Sequence, residues 1–343
     1  MKNIKIILSI LLGMAGSSVF AQKGSPLEIV AKFNEPTPDL SGIAVSKENR
    51  IFIGFPRHAD NHTSLALAEL VNGTLVPFPS KEYVYPSDKP VSEWLVSPHG
   101  MYFDKDDNLW VIDDGKRAGI AGIPEGAAKV VGFNIKTKKI IASIPITSNA
   151  MDAQSHLNDL RVDLTHGAKG TAYIANSGFG NHYSLVVVDI ATGKCREVFK
   201  NIPQTSADSS FVTFLEGIPK VYAGNKTPFP NGGADGISLS PDSKRLYWTE
   251  ISGRKLHSIS TDSLSNQNIK EEDLEKAIKF EGENPPCDGL AEDEKGNIYF
   301  GAFEQRSLVK RSPDGQYTLI AHDDDNIVWP DGLCYRNGYL YVS

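Results

Sequence analysis

The sequence predicts an all-β fold, a six-bladed β-propeller of four-stranded antiparallel blades, on three observations. A four-residue pattern recurs six times, as Leu40-Ser41-Gly42-Ile43, Pro98-His99-Gly100-Met101, Leu157-Asn158-Asp159-Leu160, Ala234-Asp235-Gly236-Ile237, Cys287-Asp288-Gly289-Leu290 and Pro330-Asp331-Gly332-Leu333. Each copy opens a strand pair, shown most plainly by Gly289 to Asp293, the polar turn Glu294 to Asn297, and the returning run Ile298 to Gly301. Successive copies stand 58, 59, 77, 53 and 43 residues apart, a spacing that fits repeats built from short strands and Asp/Gly/Asn turns.

Along the chain, Lys2 and Lys5 precede an apolar stretch from Ile6 to Gly16, and small Ala21 stands before Gln22. This is the pattern of a secretory leader over residues 1–21, too short for a good membrane span. Residues 22–343 then form a single propeller domain, because a closed ring is one domain however many blades it holds. Leu27 to Phe33 is the candidate N-terminal strand that closes the last blade. Hairpins follow at Met101 to Ile112 around Lys105–Asn108, and at Ile237 to Glu250 around Pro241–Lys244. Inserts separate the blades at 57–96, 118–127, 146–156, 200–233 and 261–286. In the last of these, Glu271 to Phe280 carries Leu274, Ala277 and Ile278 on one helical face behind an acidic first turn, which predicts a surface helix. The 200–233 insert, with Phe211, Phe214, Tyr222 and Phe229, is placed either as a roof over the channel or as a packed connecting loop. After Pro330 the chain supplies only two strands, so the last blade is expected to be shortened or to have an exposed edge.

Of the 343 residues, 40% are hydrophobic and 22% charged, enough to bury a sizeable core. Loss of Lys2 and Lys5 with the leader leaves 33 basic against 42 acidic residues, a net charge of −9. That balance speaks against nucleic acid or an anionic membrane as partner. Cys195, Cys287 and Cys334 are odd in number and far apart, with no evident disulfide framework. The reading is an exported protein, secreted or periplasmic, with a small-molecule ligand and no partner protein identified.

The six pattern positions carry a chemical argument of their own. If the inner strands all begin at one end of the channel, Ser41, His99, Asn158, Asp235, Asp288 and Asp331 converge on its axis. Aspartates gathered there repel one another unless a cation neutralises them, one takes up a proton, or Arg or Lys pairs with them. Asp and Asn oxygens suit Ca²⁺. The competing reading is that each Asp-Gly merely forms a tight turn before its strand. His99 is the one imidazole of the set, either a proton carrier and candidate catalytic residue or a hydrogen-bonded structural histidine. His156, two residues before Asn158, is open to the same two readings. His58 and His62 stand four apart without the Glu or the helical pattern of a zinc motif. Asp104 to Asn108 resembles the start of an EF-hand loop, but Leu109 stands where glycine is needed, so the segment reads as a hairpin turn. Serine-hydrolase elbow, phosphate-loop and His-Glu-x-x-His motifs are absent.

An ordered set of segments resembles the major royal jelly protein and yellow family: Asn108-Leu-Trp-Val-Ile-Asp-Asp-Gly115, Leu157 to Asp163, Ala172 to Gly178, Ala234-Asp-Gly-Ile-Ser-Leu-Ser-Pro241, Gly289 to Phe300 and Trp329-Pro-Asp-Gly-Leu333. The resemblance runs from about Ser97 to Ser343. It implies a secreted six-bladed propeller whose channel binds small molecules of the aromatic, amine or catechol kind, with isomerase-like chemistry on dopachrome-type pigments. A more distant resemblance to the gluconolactonase and senescence-marker propellers implies a calcium-dependent lactonase or esterase. There Asn158, Asp235 and Asp288 would be the metal ligands, and Ser41 stands where those proteins carry a glutamate. A non-catalytic interaction scaffold is the third expectation.

Overall fold

The computed structural model describes residues 27–33, 36–180, 182–221 and 231–343. The expected leader, Tyr222 and Phe229 lie outside them. Five four-stranded antiparallel sheets follow in chain order. They are β1 (Ile43–Val45), β2 (Ile51–Gly54), β3 (Leu67–Val71) and β4 (Thr74–Pro77); β5 (Pro98–Phe103), β6 (Asn108–Asp113), β7 (Lys129–Asn134) and β8 (Lys139–Pro145); and β9 (Leu157–Asp163), β10 (Thr171–Asn176), β11 (Ser184–Asp189) and β12 (Cys195–Val198). A hairpin of β13 (Val212–Leu215) and β14 (Ile218–Val221) intervenes. The fourth sheet is β15 (Ala234–Leu239), β16 (Arg245–Glu250), β17 (Lys255–Ser260) and β18 (Lys279–Glu283), and the fifth is β19 (Leu290–Glu292), β20 (Ile298–Ala302), β21 (Ser307–Arg311) and β22 (Tyr317–His322). A two-stranded sheet, β23 (Leu333–Arg336) and β24 (Tyr339–Val342), completes the order.

In every blade the strand that follows a pattern copy is the innermost, and β1, β5, β9, β15, β19 and β23 touch one another in a ring that closes from β23 to β1. The glycines of the pattern exist because neighbouring blades meet backbone to backbone at this radius. A methyl group on Gly289 would stand 1.9 Å from the Asp331 carbonyl oxygen, and one on Gly332 would stand 2.3 Å from that of Ser41. The alternation of the strands buries apolar residues between blades. Phe52, Leu109, Val111 and Phe133 pack between the first two sheets, and Ile112, Leu160, Ile174 and Val186 between the second and third.

The propeller is thus all-β with four-stranded antiparallel blades, but among the described residues five blades are complete rather than six. The sheet at the remaining ring position has two strands. The expected closing strand is corrected, because Leu27 to Phe33 forms no ladder. Most of its apolar side chains stay at the surface, with Ile29 and Val30 53% and 56% exposed. Phe33 does pack, against Ile53, Phe55 and Ala68 of the first blade. The helix of the last insert forms as Glu271–Ala277, shorter than its periodicity suggested, with Leu274 buried. Asp104 makes a turn rather than a calcium loop: its Oδ1 accepts the N–H groups of Asp106 and Asn108, and its Oδ2 the Trp110 indole N–H at 2.8 Å. All three cysteines are free thiols.

Candidate functional site

The inner strands all start at one end of the channel, so all six pattern residues, Ser41, His99, Asn158, Asp235, Asp288 and Asp331, line a single cavity of about 260 Å³. Segments outside the repeats complete it. The loop after β2 supplies His58, the residue before β9 is His156, and the loops after β10 and β22 supply Phe179 and Trp329. Arg57 fixes the first loop. Its buried guanidinium donates to the backbone carbonyls of His62, Ser64, Val84, Leu95 and Val96. It also stands over the Trp94 ring at 5.7 Å.

The carboxylates crowd one another. Asn158 donates its amide N–H to Asp235, and its own Oδ1 is buried without a partner. Trp329 donates its indole N–H to Asp288 at 2.6 Å. Burial raises Asp235 above the ordinary carboxylate range, while hydrogen bonds from Asp288, Ser177 and Asn158 work against that rise. Burial, followed by the charges of Asp331 and Asp235, raises Asp288 well above it. Burial pushes Asp331 up to about 6 although Ser41 bonds to it. Asp288 and Asp235 are hydrogen-bonded to each other, with Asp288 the more readily protonated of the two, and among the described residues no lysine or arginine lines the cavity. Asp159, the residue that replaces glycine in the third pattern copy, stands further down the channel beside Gly100. Burial pushes it up to about 7, against the pull of Arg161.

The imidazoles face one another above this group. Ring centroids of His58 and His99 are 5.0 Å apart, those of His58 and His156 4.8 Å, and those of His99 and His156 4.9 Å. Burial lowers His58 to about 4 and His99 well below its ordinary value. Both are neutral at pH 7, and the same lowering weakens His99 as a base, so it can ligate or accept a proton only transiently and is no acid. His99 Nδ1 lies 3.4 Å from Ser41 Oγ, and His156 Nδ1 lies 3.1 Å from Asp114.

A larger cavity of about 430 Å³ opens at the far end of the inner strands. Its lining balances four basic residues, Lys47, Lys105, Arg161 and Arg336, against four acidic ones, Asp104, Glu292, Asp293 and Glu294, and Arg161 pairs with Glu292 at 3.2 Å and donates to the Leu290 carbonyl at 2.6 Å. The unmatched carboxylates make the smaller cavity the chemical centre. Sequence reasoning placed the six pattern positions but did not bring His58, Phe179 or Trp329 to them, since these come from loops with no repeat signal. The one visible signal for Asp159 was the break from glycine at its position.

A family model described as Major royal jelly protein matches residues 96–342. Among curated proteins, Major royal jelly protein 3 of Apis mellifera is 22% identical over 190 residues, covering 55% of this chain and 32% of that protein. Major royal jelly protein 9 of Apis mellifera is 20% identical over 255 residues, 70% of this chain and 55% of that protein. The chain thus spans from 32% to 55% of these relatives' length. Among solved structures, a calcium-binding protein, regucalcin, from Agrobacterium tumefaciens aligns with a TM-score of 0.52 at 13% identity, over 89% of this chain and 81% of that one. Kuenenia stuttgartiensis hydrazine synthase aligns at 0.51 and 12%, over 80% and 72%. At these identities the solved structures speak for the propeller fold alone.

Proposed function

The chain belongs to the major royal jelly protein family, and from that premise we propose that it is an exported six-bladed propeller whose channel mouth binds a small aromatic, amine-bearing or catechol-like molecule. The observation that carries this is the group Asp235, Asp288 and Asp331 facing a cavity with no lysine or arginine among the described residues of its wall. An ammonium group relieves the mutual repulsion of the carboxylates. Phe179 and Trp329 offer ring faces for the aromatic part and for cation–π contact. A volume of about 260 Å³ lies at the lower edge of ligand pockets, which run from roughly 300 to 1,000 Å³, and suits a single-ring ligand. Neutral His99 is the base available for an isomerase-like proton transfer.

The test is calorimetric titration of chelator-treated protein with a catechol-bearing ethylamine across pH. Ionised carboxylates are required, and those of the site are raised, with Asp331 at about 6. Affinity is therefore expected to fall as pH drops through about 6. A profile flat between about pH 5 and pH 8 contradicts the reading.

A second reading is favoured by one atom. Asn158 Oδ1 is buried and unpartnered beside Asp235, a hard donor of the kind Ca²⁺ takes. Asn158, Asp235 and Asp288 would then hold the ion, which would polarise a lactone or ester carbonyl, with His99 positioned to take a proton from water. Ser41 supplies a hydroxyl where a fourth carboxylate would strengthen the site. Stoichiometric calcium in the purified protein and a melting temperature lowered by chelator are the expected results of this reading. Metal-free protein with an unchanged melt rejects it.

A further inference from the structure

We infer that His58, His99 and His156 form a binding site for a divalent first-row metal of the zinc class, separate from the carboxylate group below them. One nitrogen from each of the three side chains lies within 4.8 Å of the others. Zinc binds imidazole nitrogen at about 2.0–2.1 Å, which sets tetrahedral ligand nitrogens roughly 3.3 Å apart. Closing that difference takes a rearrangement of up to about 1.5 Å, made by rotating the imidazoles about their side-chain bonds while Arg57 keeps the His58 loop in place.

Independent features of the surroundings suit ligation better than simple packing. Asp114 is buried behind His156 with its Oδ2 3.1 Å from His156 Nδ1, at ion-pair distance though not in hydrogen-bond geometry, and that oxygen has no other partner. A carboxylate behind an imidazole is the usual means of fixing the tautomer and orientation of a metal-bound histidine. Asp114 is itself fixed, since its Oδ1 accepts the Leu157 backbone N–H at 3.1 Å. His58 Nδ1 is buried without a hydrogen-bond partner, a polar atom that packing leaves unsatisfied and a metal would satisfy. Three imidazoles fill three positions of a tetrahedron, and the fourth opens into the cavity, where water or a ligand oxygen can complete it. Imidazole donors select zinc, copper or nickel over calcium, which takes oxygen. The imidazoles rather than the carboxylates thus set the metal preference, and because a zinc-bound His99 is no longer free to act as a base, zinc occupancy and proton transfer at His99 exclude one another.

The test is calorimetric titration of chelator-stripped, amine-free protein with Zn²⁺, with and without excess Ca²⁺. One zinc per chain is expected, undisturbed by calcium. Asp114→Asn should weaken zinc binding about 10–100-fold, and His58→Ala at least as much, with unchanged melting of the metal-free variants. Co²⁺ added to the wild type should give the intense visible absorption of a four-coordinate nitrogen site, a readout that needs no variant. The inference is overturned by an absent cobalt band, by equal zinc affinity in wild type and His58→Ala, or by zinc binding that survives His58→Ala and is lost in Asp288→Asn.

Discussion

Asp235→Asn is expected to weaken binding of an arylethylamine by about 2–5 kcal/mol, roughly 30-fold or more, the cost of removing one partner of a buried charge pair. Asp235 is the carboxylate whose neighbours most favour its charged form, since Asn158 donates to it and its hydrogen bond with Asp288 works against the rise that burial imposes. The same substitution should stabilise the ligand-free protein by about 1 kcal/mol at neutral pH, since functional sites commonly carry destabilising groups. The sign follows from proton linkage. Burial raises Asp235 above its ordinary 3.8, so the native state binds the proton more tightly than the unfolded chain does. The wild type therefore loses stability as pH rises from about 4 through the raised value. The amide variant has no proton to lose and escapes this penalty, so its advantage should disappear below about pH 4. Chemical denaturation at two pH values, beside calorimetry, measures both effects. A variant that is both less stable and unchanged in affinity would leave Asp235 as a turn residue.

The largest loss of stability is expected from Arg57→Ala, about 3–5 kcal/mol. Five backbone carbonyls share the buried guanidinium, and each one left unpaired away from water costs roughly 1–3 kcal/mol before the loop relaxes. Burial already lowers this arginine to about 10 against the opposing charge of Asp113, and the five carbonyls are what its N–H groups bond to in place of water. The substitution frees the loop that carries His58, and zinc binding should fall with the stability. The denaturant midpoint at constant slope is the measurement. A shift below about 1 kcal/mol would mean that water replaces the guanidinium without cost.

The ring was legible because its geometry repeats. Six inner strands meet so closely that the pattern demands glycine at Gly42, Gly100, Gly236, Gly289 and Gly332, and in all six copies the residue just before that position lines the cavity. The far wall of the site was not legible. His58, Phe179 and Trp329 belong to inserts whose path depends on tertiary contacts, such as those of Arg57 and the stacking of Trp329 on Phe303 at 4.8 Å. No periodicity encodes such contacts. The spacing of His58 and His62 drew attention to the wrong pair: His62 Nε2 turns to the Phe55 carbonyl at 3.2 Å, while His58 joins histidines 41 and 98 residues away. Leu27 to Phe33 misled for a related reason, since a good strand composition gives no ladder without a neighbouring edge placed to receive it.

Whether the channel mouth is built for a cationic aromatic ligand is decided by comparing two molecules of one shape. Chelator-treated protein is titrated with phenylethylamine and with its neutral alcohol counterpart at about pH 7.5, where the carboxylates can ionise and the amine is charged. One site per chain is expected, with a preference for the amine of at least about tenfold, or about 1.4 kcal/mol. Equal affinity for the two, or binding of neither, would contradict a site shaped by its carboxylates.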